Sequence, residues 1–90
     1  MSGFTVDFVC PVEFENLAAE ISFQGQLICR IKSEREDKIV EADFFYDYRE
    51  PLRSLALPLE EFLDLVSEIK DEIVDLRARR EGGKGGRKQS

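Results

Sequence analysis

One stretch limits the folds open to this chain. Residues 58–80, PLEEFLDLVSEIKDEIVDLRARR, form the only segment whose apolar side chains recur at helical spacing over several turns. Leu59, Phe62, Val66, Ile69, Ile73 and Leu76 follow alternating steps of three and four, with Leu63 and Leu65 on the flanks, which predicts one long amphipathic helix. Pro58 fits a first helical position, where its missing N–H costs nothing, and Glu60 and Glu61 sit at the positive end of the helix dipole. Arg77, Arg79 and Arg80 fall at the negative end, and Gly82 and Gly83 predict the stop.

The other face of this helix is acidic. At about 100° per residue, Glu60, Glu61, Asp64, Glu68, Asp71, Glu72 and Asp75 gather opposite the apolar stripe. Between positions 60 and 75 no base lies on that arc, and Lys70 and Arg77 sit to its side. Like charges four apart, such as Asp64/Glu68 and Asp71/Asp75, cost about 0.2–0.5 kcal/mol each. Such a face is either a solvated exterior or a docking surface for a basic partner. The charge of the whole chain is divided in the same sense: residues 1–76 carry 18 acids and 7 bases, net −11, whereas residues 77–90 carry 1 acid and 6 bases, net +5.

The remainder reads as strands. Phe4, Val6, Phe8 and Cys10 alternate with Thr5, Asp7 and Val9 up to Pro11, which marks an end or an edge. Leu17, Ala19, Ile21 and Phe23 alternate in turn, and after Gln24-Gly25-Gln26 the pattern resumes at Leu27, Cys29 and Ile31, predicting a hairpin with positive φ at Gly25. Beyond the polar run SEREDK (33–38), Val40, Ala42, Phe44, Tyr46 and Tyr48 share one parity of a long last strand, while Glu41, Asp43, Phe45 and Asp47 share the other. The expected fold is α+β, a four-stranded antiparallel meander with one face covered by the C-terminal helix. Ninety residues at 42% hydrophobic content suit one domain, assigned to 1–81, with a flexible Gly/Lys/Arg-rich tail at 82–90. The expected core takes Phe4, Val6, Phe8, Leu17, Ala19, Ile21, Phe23, Leu27, Cys29, Ile31, Val40, Ala42, Phe44 and Tyr46 from the sheet, and Phe62, Val66, Ile69 and Ile73 from the helix. Glu20, Arg30 and Lys32 are expected to face water.

The composition argues against chemistry. No histidine is present to activate Ser22, Ser33, Ser54 or Ser67, and no glycine-rich loop precedes a helix. Two cysteines without histidine make no ordinary four-ligand zinc site, so Cys10 and Cys29 are expected to be buried, inert thiols. Carboxylate pairs such as Glu13/Glu15 and Asp43/Asp47 arise by chance in so acidic a chain. The expectation is no enzyme, no cofactor and no metal. The aromatics at 44–48 sit among Glu41, Asp43, Asp47 and Glu50, which repel phosphate, so nucleic acid is not an expected partner. No stretch has the length of a membrane span, and the first residues lack a signal-peptide pattern, so no membrane partner and a cytoplasmic location are expected.

What remains is protein binding. EADFFYDYRE (41–50) mixes aromatic and acidic side chains as an interface anchor and its charged rim do. The candidate partner-binding residues are Glu41, Asp43, Phe45, Asp47 and Tyr48 on the last strand, with Glu68, Asp71 and Asp75 on the helix. The run FENLAAEISFQGQLICRI, then EADFFYDYRE, then PLEEFLDLVSEIKDEI resembles the small cytosolic immunity proteins of bacterial contact-dependent inhibition and polymorphic toxin systems. The likeness covers about residues 12–76 and lies in the order of hairpin, strand and acidic helix. It implies a non-catalytic protein that binds a basic toxin domain, often a nuclease, and blocks its active site or substrate groove. Two other readings stand beside it: a phage-type inhibitor that mimics nucleic acid to occupy a host defence complex, and a structural or oligomerisation module pairing through Leu59–Leu76. The expected state is a monomer or weak homodimer.

Overall fold

The structure, a computed structural model, describes residues 3–45 and 56–85. Its elements are β1 (Phe4–Val9), β2 (Ala18–Phe23), β3 (Gln26–Lys32), β4 (Glu41–Phe44) and α1 (Leu59–Gly85). The strands form one antiparallel sheet in the order β1-β2-β3-β4, and α1 covers one face, the expected α+β meander. The β2–β3 turn has positive φ at both Gln24 (51°) and Gly25 (83°), the two-residue turn whose twist matches that of the strands it joins. Tyr46, Asp47 and Tyr48 of the expected long last strand lie outside the described residues.

Ala19, Ile21, Phe23, Ile28, Cys29 and Ile31 bury against Ile69 and Ile73, with Phe4, Val6, Val40, Leu57, Phe62, Leu65 and Val66 packed around them. A helix about 10 Å across spans only about two strands spaced 4.8 Å apart. Here α1 contacts β2 and β3. This corrects the expected core at its margins: Phe8 on β1 is 45% exposed and Phe44 on β4 62%, and Ala42 and Leu17 are also exposed. Leu59 and Leu63 stay outside the stripe as well. A second correction comes from a register shift at Ile21/Ser22, where Ser22 faces Leu27 while Ile21 faces Cys29. The extra residue, Ile28, enters the core and Leu27 is left exposed, an inversion that strict alternation could not give.

Cys29 is buried, and burial pushes its thiol upward, whereas Cys10 is exposed, contrary to expectation. β1 ends at Val9, and the chain turns through Pro11, whose carbonyl accepts from the Phe14 N–H at 2.9 Å. That turn carries Cys10 out of the sheet. The helix also departs from its expected limits. Pro58 precedes it and supplies the carbonyl that accepts from Phe62 N–H at 3.0 Å, and the helical backbone continues past Gly82 and Gly83 to Gly85.

A polar seam locks the second half of α1 to the loops beneath it. Arg77 Nη1 donates to the carbonyls of Ser33 (3.0 Å) and Arg35 (2.7 Å) and to Ser33 Oγ (3.1 Å), while its Nε donates to Glu81 at 2.8 Å. Arg80 Nε donates to Asn16 Oδ1 at 2.6 Å, and Asn16 Nδ2 donates to the Ser33 carbonyl at 2.9 Å. Asn16 and Ser33 are both buried, so these bonds satisfy groups that have lost water. Glu34 closes the seam by accepting the N–H groups of Glu15 and Asn16 at 2.8 Å each. Burial pushes its carboxyl up, but those two backbone donors, the Asn16 side chain and Arg77 outweigh it and leave it below its ordinary value.

Candidate protein-binding surfaces

The predicted strand surface lies on the face away from the helix. Cross-strand register sets Lys32 opposite Glu41 and Arg30 opposite Asp43, whereas Ala42 and Phe44 share the helix side with Ile31 and Cys29. Its acids are largely matched within the chain. Asp43 pairs with Lys32 at 3.0 Å, Glu41 with Arg35 at 3.5 Å, and Glu20 with Arg30 at 2.9 Å. Glu20, Arg30 and Lys32, expected to face water, are only partly exposed there.

Two rings cover the bases. The Arg30 guanidinium sits 5.5 Å from the centres of both Phe14 and Phe45, and Lys32 Nζ lies 5.7 Å from Phe14. Contacts of this kind contribute about 0.5–2 kcal/mol according to how far the cation is desolvated. Phe45 therefore has an intramolecular partner, although 39% of it stays exposed. Asp47 and Tyr48 lie outside the described residues, so the strand surface is seen through Glu41, Asp43 and Phe45.

The predicted helix surface points elsewhere. Glu68, Asp71 and Asp75 are all exposed on α1, Glu68 on the flank toward β1, and the structure keeps them apart from the strand acids, with the sheet between. Asp75 is paired with Arg79 at 2.8 Å, one turn beyond the acidic stretch, and Asp71 touches Lys70 at 3.3 Å. Among the described residues no ion pair reaches Glu60, Glu61, Asp64, Glu68 or Glu72. The unmatched charge is thus concentrated in the first four turns of the helix.

Those turns also border a concavity that sequence reasoning missed. A groove of about 290 Å³ runs between α1 and β1, floored by Phe4, Val6 and Leu65 and rimmed by Glu61, Asp64 and Glu68. The spacing of its three carboxylates was legible, since positions 61, 64 and 68 share one side of a helix. The gap between α1 and β1 was not, because it depends on where the helix crosses the sheet.

Among the described residues no three acidic or cysteine side chains gather as a metal site, and no helix is long and apolar enough to cross a membrane. No protein-family model, curated protein or solved structure matches the chain.

Proposed function

We propose that this chain is a cytoplasmic immunity protein that neutralises a toxin by binding its basic domain, a nuclease in the first instance, and covering the active site or substrate groove. It acts by occupancy and transforms nothing. The observation that supports this reading is the run of uncompensated carboxylates on the first half of α1, held on a helix pinned at its other half. Unpaired acids on a rigid support raise the rate of encounter with a basic surface and lose no rotamer pairing when they bind it. The sequence likeness to toxin-system immunity proteins points the same way.

The test is co-purification and titration with the basic domain encoded beside this chain. The expected result is a one-to-one complex whose dissociation constant rises at least about tenfold between low and physiological salt. Charge reversal at Glu60, Glu61, Asp64 and Glu68 should weaken it further. Binding that ignores both salt and reversal on the helix and on β4 would remove the electrostatic reading.

The same helical acids also suit a phage-type inhibitor that occupies a nucleic-acid groove. Competition of the complex by bulk DNA or RNA, with a host defence assembly as target, selects that alternative.

A further inference from the structure

The outer margin of β1 at Val6 and Phe8 is built to take another strand. Among the described residues β1 pairs with β2 alone, and its register is unbroken from Phe4↔Phe23 to Val9↔Ala18. Gln24 N–H donates to the Gly3 carbonyl at 2.9 Å, which makes Gly3/Gln24 a hydrogen-bonded pair of the ladder. Bonded and non-bonded pairs alternate in an antiparallel ladder, so Thr5, Asp7 and Val9 bond toward β2 while Val6 and Phe8 turn their N–H and C=O groups outward. Among the described residues nothing pairs with the outward groups of Val6 and Phe8. Natural edges are commonly blunted by lysine, proline or a bulge, and residues 4–9, FTVDFV, contain none of these.

The surroundings of this edge are acidic on both faces. On the helix side, the groove carboxylates of Glu61, Asp64 and Glu68 stand beside the Val6 rank with no ion pair among the described residues. On the opposite side Asp7 is exposed, and its cross-strand neighbour Glu20 is already held by Arg30. A strand added about 4.8 Å from β1 puts successive side chains alternately toward these two faces. Lysine or arginine would be favoured at both parities, and acidic residues opposed. A second copy of β1 would bring Asp7 and the same three carboxylates against themselves, so charge disfavours self-pairing.

The geometry points to strand addition: an extended, lysine- or arginine-bearing segment of a protein partner pairs with the β1 edge and lays its cations against Glu61, Asp64, Glu68 and Asp7. The inference rests on the reading of this chain as a binder of a basic protein, and it names the surface and the mode. Backbone pairing supplies register-specific affinity, and the carboxylates select the sequence that is accepted.

The probe is a short end-blocked peptide of lysines and valines, added to the full chain labelled for amide NMR. Saturable binding is expected, with hydrogen exchange at Val6 and Phe8 slowed at least about tenfold while Thr5 and Asp7, already bonded to β2, keep theirs. The same peptide N-methylated at each amide, or with glutamate for lysine, should not bind. Replacing Glu61→Gln, Asp64→Asn and Glu68→Gln together should weaken binding about tenfold without loss of fold, because these side chains are exposed and unpaired. Phe8→Pro is a second block, since it removes an outward N–H at a residue whose side chain is largely outside the core.

Peptide shifts confined to Glu41–Phe44, no saturable binding, or concentration-dependent self-association that protects Val6 and Phe8 without peptide would each overturn strand addition by a basic segment. The two readings fail separately. A chain that takes the peptide on β1 but binds no basic toxin domain keeps the edge site and loses the immunity reading. One that binds such a domain undiminished in the triple variant keeps the immunity reading and loses the edge site.

Discussion

The two halves of α1 are both rich in charge, the first acidic and the second mainly basic, and do opposite work. In the second half, Arg77, Arg80 and Glu81 reach across to Asn16, Ser33, Arg35 and Lys38, and their charges are consumed inside the molecule. In the first half, Glu60, Glu61, Asp64 and Glu68 reach nothing among the described residues. Charge content alone does not separate fold from function. What separates them is whether a polar loop lies within reach of the side chain.

The sharpest way to break this contrast is to cut each half and compare the losses. Ile73 is fully buried, and Ile73→Ala should cost about 2–5 kcal/mol by transfer and cavity terms, read as a lower denaturation midpoint. Leu63→Ala, on a side chain 56% exposed, should stay within about 0.5 kcal/mol. Next comes Arg77→Ala, which takes the donor from the buried Ser33 Oγ and the Arg35 carbonyl and leaves the Ser33 carbonyl with Asn16 Nδ2 alone. It should cost about 2–3 kcal/mol in urea unfolding. If Arg77→Ala proves neutral, the seam is ornamental and the halves are alike.

Acid should find the same asymmetry. The hydrogen bond from Arg77, and then that from Lys38, hold Glu81 at about 2, below its ordinary 4.5. A carboxyl lowered in the folded state adds stability that is complete above its unfolded value and disappears as pH falls through the folded one. The melting temperature should therefore fall between about pH 4.5 and pH 2, and Glu81→Gln should flatten that fall. An unchanged pH slope in the variant would place acid sensitivity elsewhere. The smallest effect is expected in the first half of the helix. Neutralising Glu61, Asp64 and Glu68 should shift stability by no more than about 0.5 kcal/mol, and upward, since like charges three and four apart are relieved.

Much of the fold was legible because alternation and helical spacing are strong signals over these lengths. Phe4 to Phe8, Ala19 to Phe23 and the 59–76 stripe announced their elements, and Gly25 its turn. The errors share one cause. Period two assigns a residue to a face and says nothing of whether that part of the face is covered, so Phe8 and Phe44 were placed in a core that α1 is too narrow to reach. Ile28 was hidden by a bulge with no residue signature, and Cys10 by a strand that stops one residue short of the apolar run.

For the candidate surfaces, the acids of α1 were visible, but their division into matched and unmatched was not. Arg77 and Arg80 looked like dipole partners at a helix end, and their contacts lie 42 to 64 residues away in the chain. On β4, Glu41 and Asp43 read as free rim charges until the register set Lys32 and the Arg35 turn beside them. The groove on β1 combines the first strand with the last element, a pairing that short-range patterns do not report.

The meander order of the sheet bears on how the chain reaches this state. Each strand pairs with its neighbour in sequence, so the sheet is able to zip from the Gln24-Gly25 turn outward with short loop closures. The contacts of Arg77 and Arg80 must wait until nearly the whole chain is in place. Substitution at Arg77 should then hasten unfolding and leave the refolding rate nearly untouched, so that the helix seam governs how long the protein survives once made.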